Sequence, residues 1–267
     1  MKIALFNIPS NTPAALLINE ARKSFLETLL PDLVKEGSIT NALDVGCGFG
    51  FFSGYLKEYG LKVMAIDGRP ENVVEARRRN PDVELKVCDV EDPSIVSLGR
   101  YDLVFCFGLL YHLENPFRAV RNLASLTGKV LLVETVIAPT RSLATFLYEE
   151  EQKQDQGLNY IALIPSESWF IKCLYRAGFP FVYKTTVLPD HKDFRSSFIK
   201  KRRRTILVAS KVKLSSPLLC VAPEPKTNRY MWDSLRVGSM FESERVRKIL
   251  KSGLRLFSDS YRRKERK

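Results

Sequence analysis

Between residues 41 and 211 short apolar runs alternate with stretches in which apolar residues recur every three or four positions. The runs are rich in Val, Ile and Leu and end in an acid or a glycine. They predict strands over 41–45, 61–66, 84–88, 101–107, 129–134, 180–187 and 204–211. The stretches between them predict helices over 50–59, 70–79, 116–126 and 166–177. Ser166, after Pro165, is a side-chain cap for the last helix and Gly178 a stop signal. Strand–helix alternation of this kind predicts an α/β domain with a mostly parallel, doubly wound sheet covered by helices on both faces. Ahead of it, residues 13–35 carry apolar residues at helical spacing and predict an amphipathic helix that packs across the core.

Two segments break the rhythm. Residues 137–164 form a long insertion after the fifth strand, leaving the sheet at the edge where open α/β folds hold their ligands. That placement suits a substrate lid, with Tyr148 and the acidic run Glu149 to Glu151 expected on a lid helix with a solvated face. Residues 214–267 follow the last strand, and Pro217, Pro223 and Pro225 read as a linker before a basic amphipathic stretch at 241–257. The expected organisation is a helical extension over 1–40, a ligand-binding domain over 41–213, and a linker with a basic extension over 214–267.

At 45% hydrophobic and 27% charged residues, the 267-residue chain has the composition of a globular protein able to bury a core without disulfides. Its five cysteines form no CxxC pair and four lie in apolar runs, so they read as buried free thiols in a reducing compartment. No metal site is expected, because the two histidines stand at no ligand spacing from them. The N-terminus does not read as a secretory signal, and no apolar run has the length of a membrane span. A cytoplasmic protein, with a peripheral association at a membrane surface as a variant, is the expectation. The net charge of +12 is concentrated. Residues 195–213 hold eight Lys or Arg and no acid, including the run Lys200 to Arg204, and residues 241–267 hold ten against four acids. Such clusters attract polyanions, either RNA or an anionic membrane surface; a solvated basic surface is the alternative.

The sharpest chemical signal is the segment Ala42-Leu43-Asp44-Val45-Gly46-Cys47-Gly48-Phe49-Gly50. An apolar strand runs into three alternating glycines and then a helix, a turn whose backbone a ligand can approach closely. The G-x-G-x-G spacing differs from that of pyrophosphate binders. Asp44 would repel a phosphate and suits a cationic ligand, such as the amino group of a methionine moiety. Asp67, at the end of the second strand and 21 residues after Gly46, is placed to accept ribose hydroxyls. Asp89, after the third strand, is placed to accept from an adenine amine, with Val90 donating from its backbone. Phe107 and Gly108 end the fourth strand, and Tyr111 and His112 follow at the mouth.

Together LDVGCGFG, Asp67, the CDV segment and YDLVFCFGLLYHL resemble class I S-adenosylmethionine-dependent methyltransferases over about residues 40–211. The resemblance implies a Rossmann-like, seven-stranded sheet in the order 3-2-1-4-5-7-6, the last strand antiparallel. It implies S-adenosyl-L-methionine as cofactor, contacted from Asp44, Gly46, Cys47, Gly48, Gly50, Asp67, Gly68, Asp89, Val90 and Phe107. FGLLYHLENPF, LLVET and IPSESWFIKCLYRAGF are similar, more narrowly, to the tRNA wobble-uridine carboxymethyltransferases. That likeness would make Tyr111 and Arg204 candidates for holding the carboxylate of a carboxylated cofactor; the family's cofactor-contacting lysine has no match here.

A hydroxyl acceptor needs a base, and His112 is the best-placed residue for it, a pocket-lining histidine being the alternative. Glu134, ending the fifth strand, is expected to face the acceptor or tie down the lid. Tyr160 and Trp169 are aromatics near the mouth that read by default as core packing, with an aromatic wall for a planar acceptor as the alternative for both and Tyr160 as the substrate-binding candidate. His191, in PDHKDF, reads as a surface-loop residue. The expected function is methyl transfer to the oxygen or nitrogen of a small molecule or a glycan or lipid-linked acceptor. A tRNA wobble-uridine enzyme is the alternative, and a non-catalytic cofactor-binding protein the remote one.

Overall fold

A computed structural model describes residues 13–152, 156–196 and 203–226. Ten strands and five α-helices lie among them: α1 (Pro13–Gly37), β1 (Asn41–Val45), α2 (Phe51–Glu58), β2 (Lys62–Asp67), α3 (Pro70–Arg79), β3 (Glu84–Val87), β4 (Tyr101–Phe107), α4 (Pro116–Leu126), β5 (Thr127–Val136), β6 (Thr145–Glu149), β7 (Ile161–Pro165), α5 (Glu167–Arg176), β8 (Phe181–Thr185), β9 (Arg204–Ser210) and β10 (Leu219–Val221). Every strand and helix expected of the alternating region and of residues 13–35 is present, with ends within a few residues of those read from the sequence.

The main sheet runs β10-β8-β9-β5-β4-β1-β2-β3. β1 to β5 pair in parallel, and β9 is antiparallel to both β5 and β8. With β8 and β9 as the expected sixth and seventh strands, this is the 3-2-1-4-5-7-6 order. The sheet then continues one strand further than expected. β10 pairs antiparallel with β8, placing Leu219 opposite Thr185 and Val221 opposite Tyr183. Pro217 and Pro223 flank an edge strand here rather than marking a free linker, a position where proline costs little. The segment is tied down by Tyr175 Oη donating to the Ala222 carbonyl at 2.8 Å and by the Lys172–Glu224 ion pair at 2.8 Å.

The central strands read as unbroken apolar runs because both their faces are buried. Leu103, Phe105 and Phe107 of β4 point into the core under α1 to α3, whereas Val104 and Cys106 point into the core under α4 and α5. β5 divides in the same way, Val130 and Leu132 against Leu131 and Val133. α1 adds the stripe Ile18, Phe25, Leu26, Leu29, Leu30 and Leu33, all buried. Ser166 caps α5 by accepting from Trp169 N at 3.1 Å, and Trp169 packs edge-on against Phe117.

The insertion departs from expectation in its structure. β6 and β7 form a separate two-stranded antiparallel hairpin, so Tyr148 and Glu149 stand on a strand rather than a helix. Thr, Phe and Tyr in β6 favour extended backbone, and the apolar IALIP run supplies a partner. The cysteines depart as well. Cys106 and Cys173 are buried, Cys47 and Cys88 are half-buried, and Cys220 is exposed because it lies on the edge strand. Among the described residues no helix is long and apolar enough to cross a membrane.

Candidate active-site cleft

The carboxyl ends of β1, β2 and β4 open into one cleft of about 960 Å³, near the upper end of the range for small-molecule pockets. Its floor is the glycine loop. Gly46 N and Cys47 N donate to the Ile66 carbonyl at 2.9 and 3.0 Å, which locks the loop against β2. Gly48 has φ +53°, and a Cβ there would meet nothing within 4 Å, so its bare backbone faces open space. Gly46, at φ +72°, is confined differently: a Cβ would press on Leu109 at 2.8 Å.

Asp67 is 9% exposed and lines the cleft. Its Oδ2 accepts from Gly48 N at 2.9 Å; Oδ1 accepts from Arg69 N at 2.9 Å and Asn72 Nδ2 at 3.0 Å. A carboxylate accepts about four hydrogen bonds, so Asp67 keeps one site, on Oδ2, for a ligand hydroxyl. Asp89 and Val90 also line the cleft; Asp89 Oδ1 accepts from Glu91 N at 2.8 Å in a local turn. Phe107 closes the floor, stacked on Phe105 at 4.2 Å between ring centres. Asp44 lies behind the loop, 2% exposed, and accepts from Ser53 Oγ at 2.6 Å. Burial pushes its carboxyl up to about 7, with the nearby Asp67 charge adding to the shift and Ser53 opposing it.

The far wall carries a buried charge cluster that the sequence reading missed in part. Arg22 of α1 donates to Glu134 Oε2 at 2.5 Å, and Arg204 of β9 donates to Glu134 Oε1 at 3.0 Å and to Tyr111 Oη at 3.2 Å. Arg22, Arg204 and Tyr111 line the cleft; Glu134, 0% exposed, does not. The expectation that Glu134 faces the acceptor or ties down the lid is therefore corrected: both its oxygens hold arginines together. Burial lowers the Arg22 pKa despite the Glu134 carboxylate beside it, and Arg22 Nε is buried without a hydrogen-bond partner. Arg22 was legible in one respect: it is the only charged residue on the buried stripe of α1 between Ile18 and Leu33.

His112 lines the mouth, its side chain 11% exposed, and its Nδ1 is bonded to Glu150 of the 137–164 insertion. Glu150 was expected on a solvated face; its side chain is 1% exposed. Two further expectations are overturned by position. Tyr160 does not line the cleft but stacks with the Arg69 guanidinium, 5.6 Å from the ring centre, because Tyr160 turns away at φ +57°. His191 does line it, since the loop after β8 folds back over the cleft rather than out to solvent. Burial holds the His191 imidazole below its usual range. Lys200 to Arg202 and the basic stretch at 241–267 lie outside the described residues.

A family model described as a methyltransferase domain matches residues 43–129. A ubiquinone biosynthesis O-methyltransferase of Xanthomonas euvesicatoria pv. vesicatoria is 34% identical over 122 residues, covering 43% of this chain and 49% of that protein. The chain thus spans about half the length of the curated relatives it matches. Among solved structures, the N-terminal domain of EvdMO1 with SAH bound superposes with a TM-score of 0.55 at 22% identity, covering 77% of this chain and 82% of that one. The sugar N-methyltransferase KedS8 from Streptoalloteichus superposes with a TM-score of 0.53 at 16% identity, covering 80% and 98%. Both share the fold. The matched stretch 43–129 contains the glycine loop, both strand-end acids and the Tyr111–His112 turn, and over that stretch the chain carries a methyltransferase domain.

Proposed function

We propose that this chain transfers a methyl group from S-adenosylmethionine to a hydroxyl or amine of a small-molecule acceptor, a glycan or lipid-linked sugar included. The observation that carries the reading is the convergence of the glycine loop, Asp67, Asp89 and His112 on a single cleft. The cleft fits the cofactor: the open space over Gly48 admits a ligand against bare backbone, and the free acceptor site on Asp67 suits a ribose hydroxyl. That Asp89 and Val90 line the same cleft supports reading them as the adenine contacts, and the buried Asp44 behind the loop would supply negative charge toward a cationic methionine moiety. When bound, the cofactor supplies an electrophilic methyl group. The protein's task is then to bring the acceptor atom into line with it, and proximity alone accounts for much of such a rate enhancement.

In this reading His112 takes the proton of a hydroxyl acceptor as general base. Tyr111, Arg204 and Arg22 form the wall against which the acceptor is oriented. The relatives described above are named for ubiquinone biosynthesis and for sugar N-methylation, which favours a small acceptor over tRNA. The test is calorimetric titration with S-adenosylmethionine, followed by transfer of labelled methyl to panels of phenolic and sugar acceptors. Binding with labelled product is the expected result. Absence of binding by the folded protein would remove the reading, and label appearing only in tRNA would replace the acceptor class. For the basic segments 200–203 and 241–267 we propose a polyanionic partner, Arg204 being held by Glu134 in the cleft wall, tested by whether retention on RNA or on anionic vesicles falls steeply with salt.

A further inference from the structure

We propose that Glu150 is the positioning residue of His112: the lid, when closed, fixes the tautomer that leaves Nε2 free to accept a proton in the cleft. The inference rests on the reading of His112 as the base.

The lid is stitched to the His112 turn at several points. Leu163 N donates to the Leu113 carbonyl at 2.9 Å, and Asn159 Nδ2 donates to Glu114 at 3.0 Å. Gly157 sits so close under the turn that a Cβ would collide with the His112 carbonyl. Glu150 is almost fully buried here, and its two oxygens have different duties. Oε2 accepts from Gly157 N at 2.6 Å, and Oε1 meets His112 Nδ1. The first bond fixes the carboxylate, so the second fixes the ring.

An ionised carboxylate can only accept, so Nδ1 must carry the hydrogen. In the neutral imidazole the lone pair is then on Nε2. That atom has no hydrogen-bond partner among the described residues and is not among their buried unpaired atoms, so it keeps an accessible lone pair on a residue that lines the cleft. A buried carboxylate that orients an imidazole and stabilises its protonated form is the arrangement by which a histidine becomes an effective base.

The same lid segment reaches the cofactor side. Arg69 donates to the Gln156 and Gly157 carbonyls at 3.1 and 2.9 Å, and Leu158 packs over Gly68, next to Asp67. One stretch of chain thus covers the ribose end of the cleft and sets the base at its mouth. A base oriented only by lid closure is active only when water is shut out.

The test is long-range proton–nitrogen NMR of the full chain without ligand, above the imidazole titration. The chain has two histidines, so His191→Gln assigns the signals. His112 is expected as the Nδ1–H tautomer in the wild type, and only in part in Glu150→Gln, whose single amide oxygen has to serve both Gly157 N and His112 Nδ1. In Glu150→Ala it should revert to mainly Nε2–H, the usual form in water. With an acceptor in hand, turnover should fall by about 10²–10⁴-fold in Glu150→Ala and recover in part in Glu150→Gln. An Nε2–H tautomer for His112 in the wild type overturns the proposal, and so does Nδ1–H persisting in a folded Glu150→Ala. Because the NMR measurement uses neither cofactor nor acceptor, a failed transfer assay with the expected tautomers would count against the methyltransferase reading alone.

Discussion

Asp67 has one acceptor site left for a ligand, so its contribution to binding is that of a single charge-assisted hydrogen bond. Asp67→Ala should weaken S-adenosylmethionine binding by about 1.5–3 kcal/mol, roughly 10- to 150-fold, in a calorimetric titration; an unchanged affinity in the folded variant would sink the ribose assignment. Asp44 gives a pH dependence. Its carboxyl titrates near 7 in the ligand-free protein, and a cationic ligand favours the ionised form. Binding should therefore release a proton and strengthen as pH rises through 7, by about tenfold from pH 6 to pH 8 if Asp44 alone sets the slope. The ligand's own amine titrates in the opposite sense, so the check is the slope lost in Asp44→Asn measured beside the wild type. Glu134 is a matter of stability. Glu134→Ala leaves Arg22 and Arg204 buried without their shared carboxylate and should cost about 3–5 kcal/mol in urea unfolding.

At the scale of elements, the hairpin of β6 and β7 is held to the body by a few hydrogen bonds and by the tight fit of Gly157. Gly157→Ala pushes a methyl group into the His112 carbonyl. It should lower the local opening free energy of residues 145–165 by about 1–3 kcal/mol, read as faster amide exchange there with core amides unchanged. An exchange pattern identical to the wild type would mean that the lid does not close in solution as described. β10 and the hairpin share a lesson about legibility. Each strand is short, and its pairing partner is decided by a fold that brings distant residues together, so alternation within it carries little signal.

Across the whole molecule, two cores on opposite faces of one sheet carry the stability, and β4 and β5 belong to both. Phe105 is fully buried and stacks on Phe107, whose ring also lines the cleft. Phe105→Ala should cost about 3–5 kcal/mol by denaturant unfolding and also weaken cofactor binding, because the floor loses its support. A large loss of stability with unchanged affinity would show that floor and core are independent.

Much of this protein was determined by the sequence alone. The seven main strands and the five helices followed from runs and periods that local physics enforces, since a strand buried on both faces must be apolar throughout; their order followed only from the family resemblance. The glycine loop, Asp67 and Asp89 were legible because they sit at strand ends, where position in the sequence fixes position in the cleft. Other features were decided by tertiary structure. Arg22 and His191 reached the cleft from elements far apart in the chain, Tyr160 turned away from it, and Glu150 was drawn from an expected solvated face into a buried pair with His112. Which oxygens and nitrogens meet across such distances depends on how the sheet, α1 and the lid pack, and no local pattern records it.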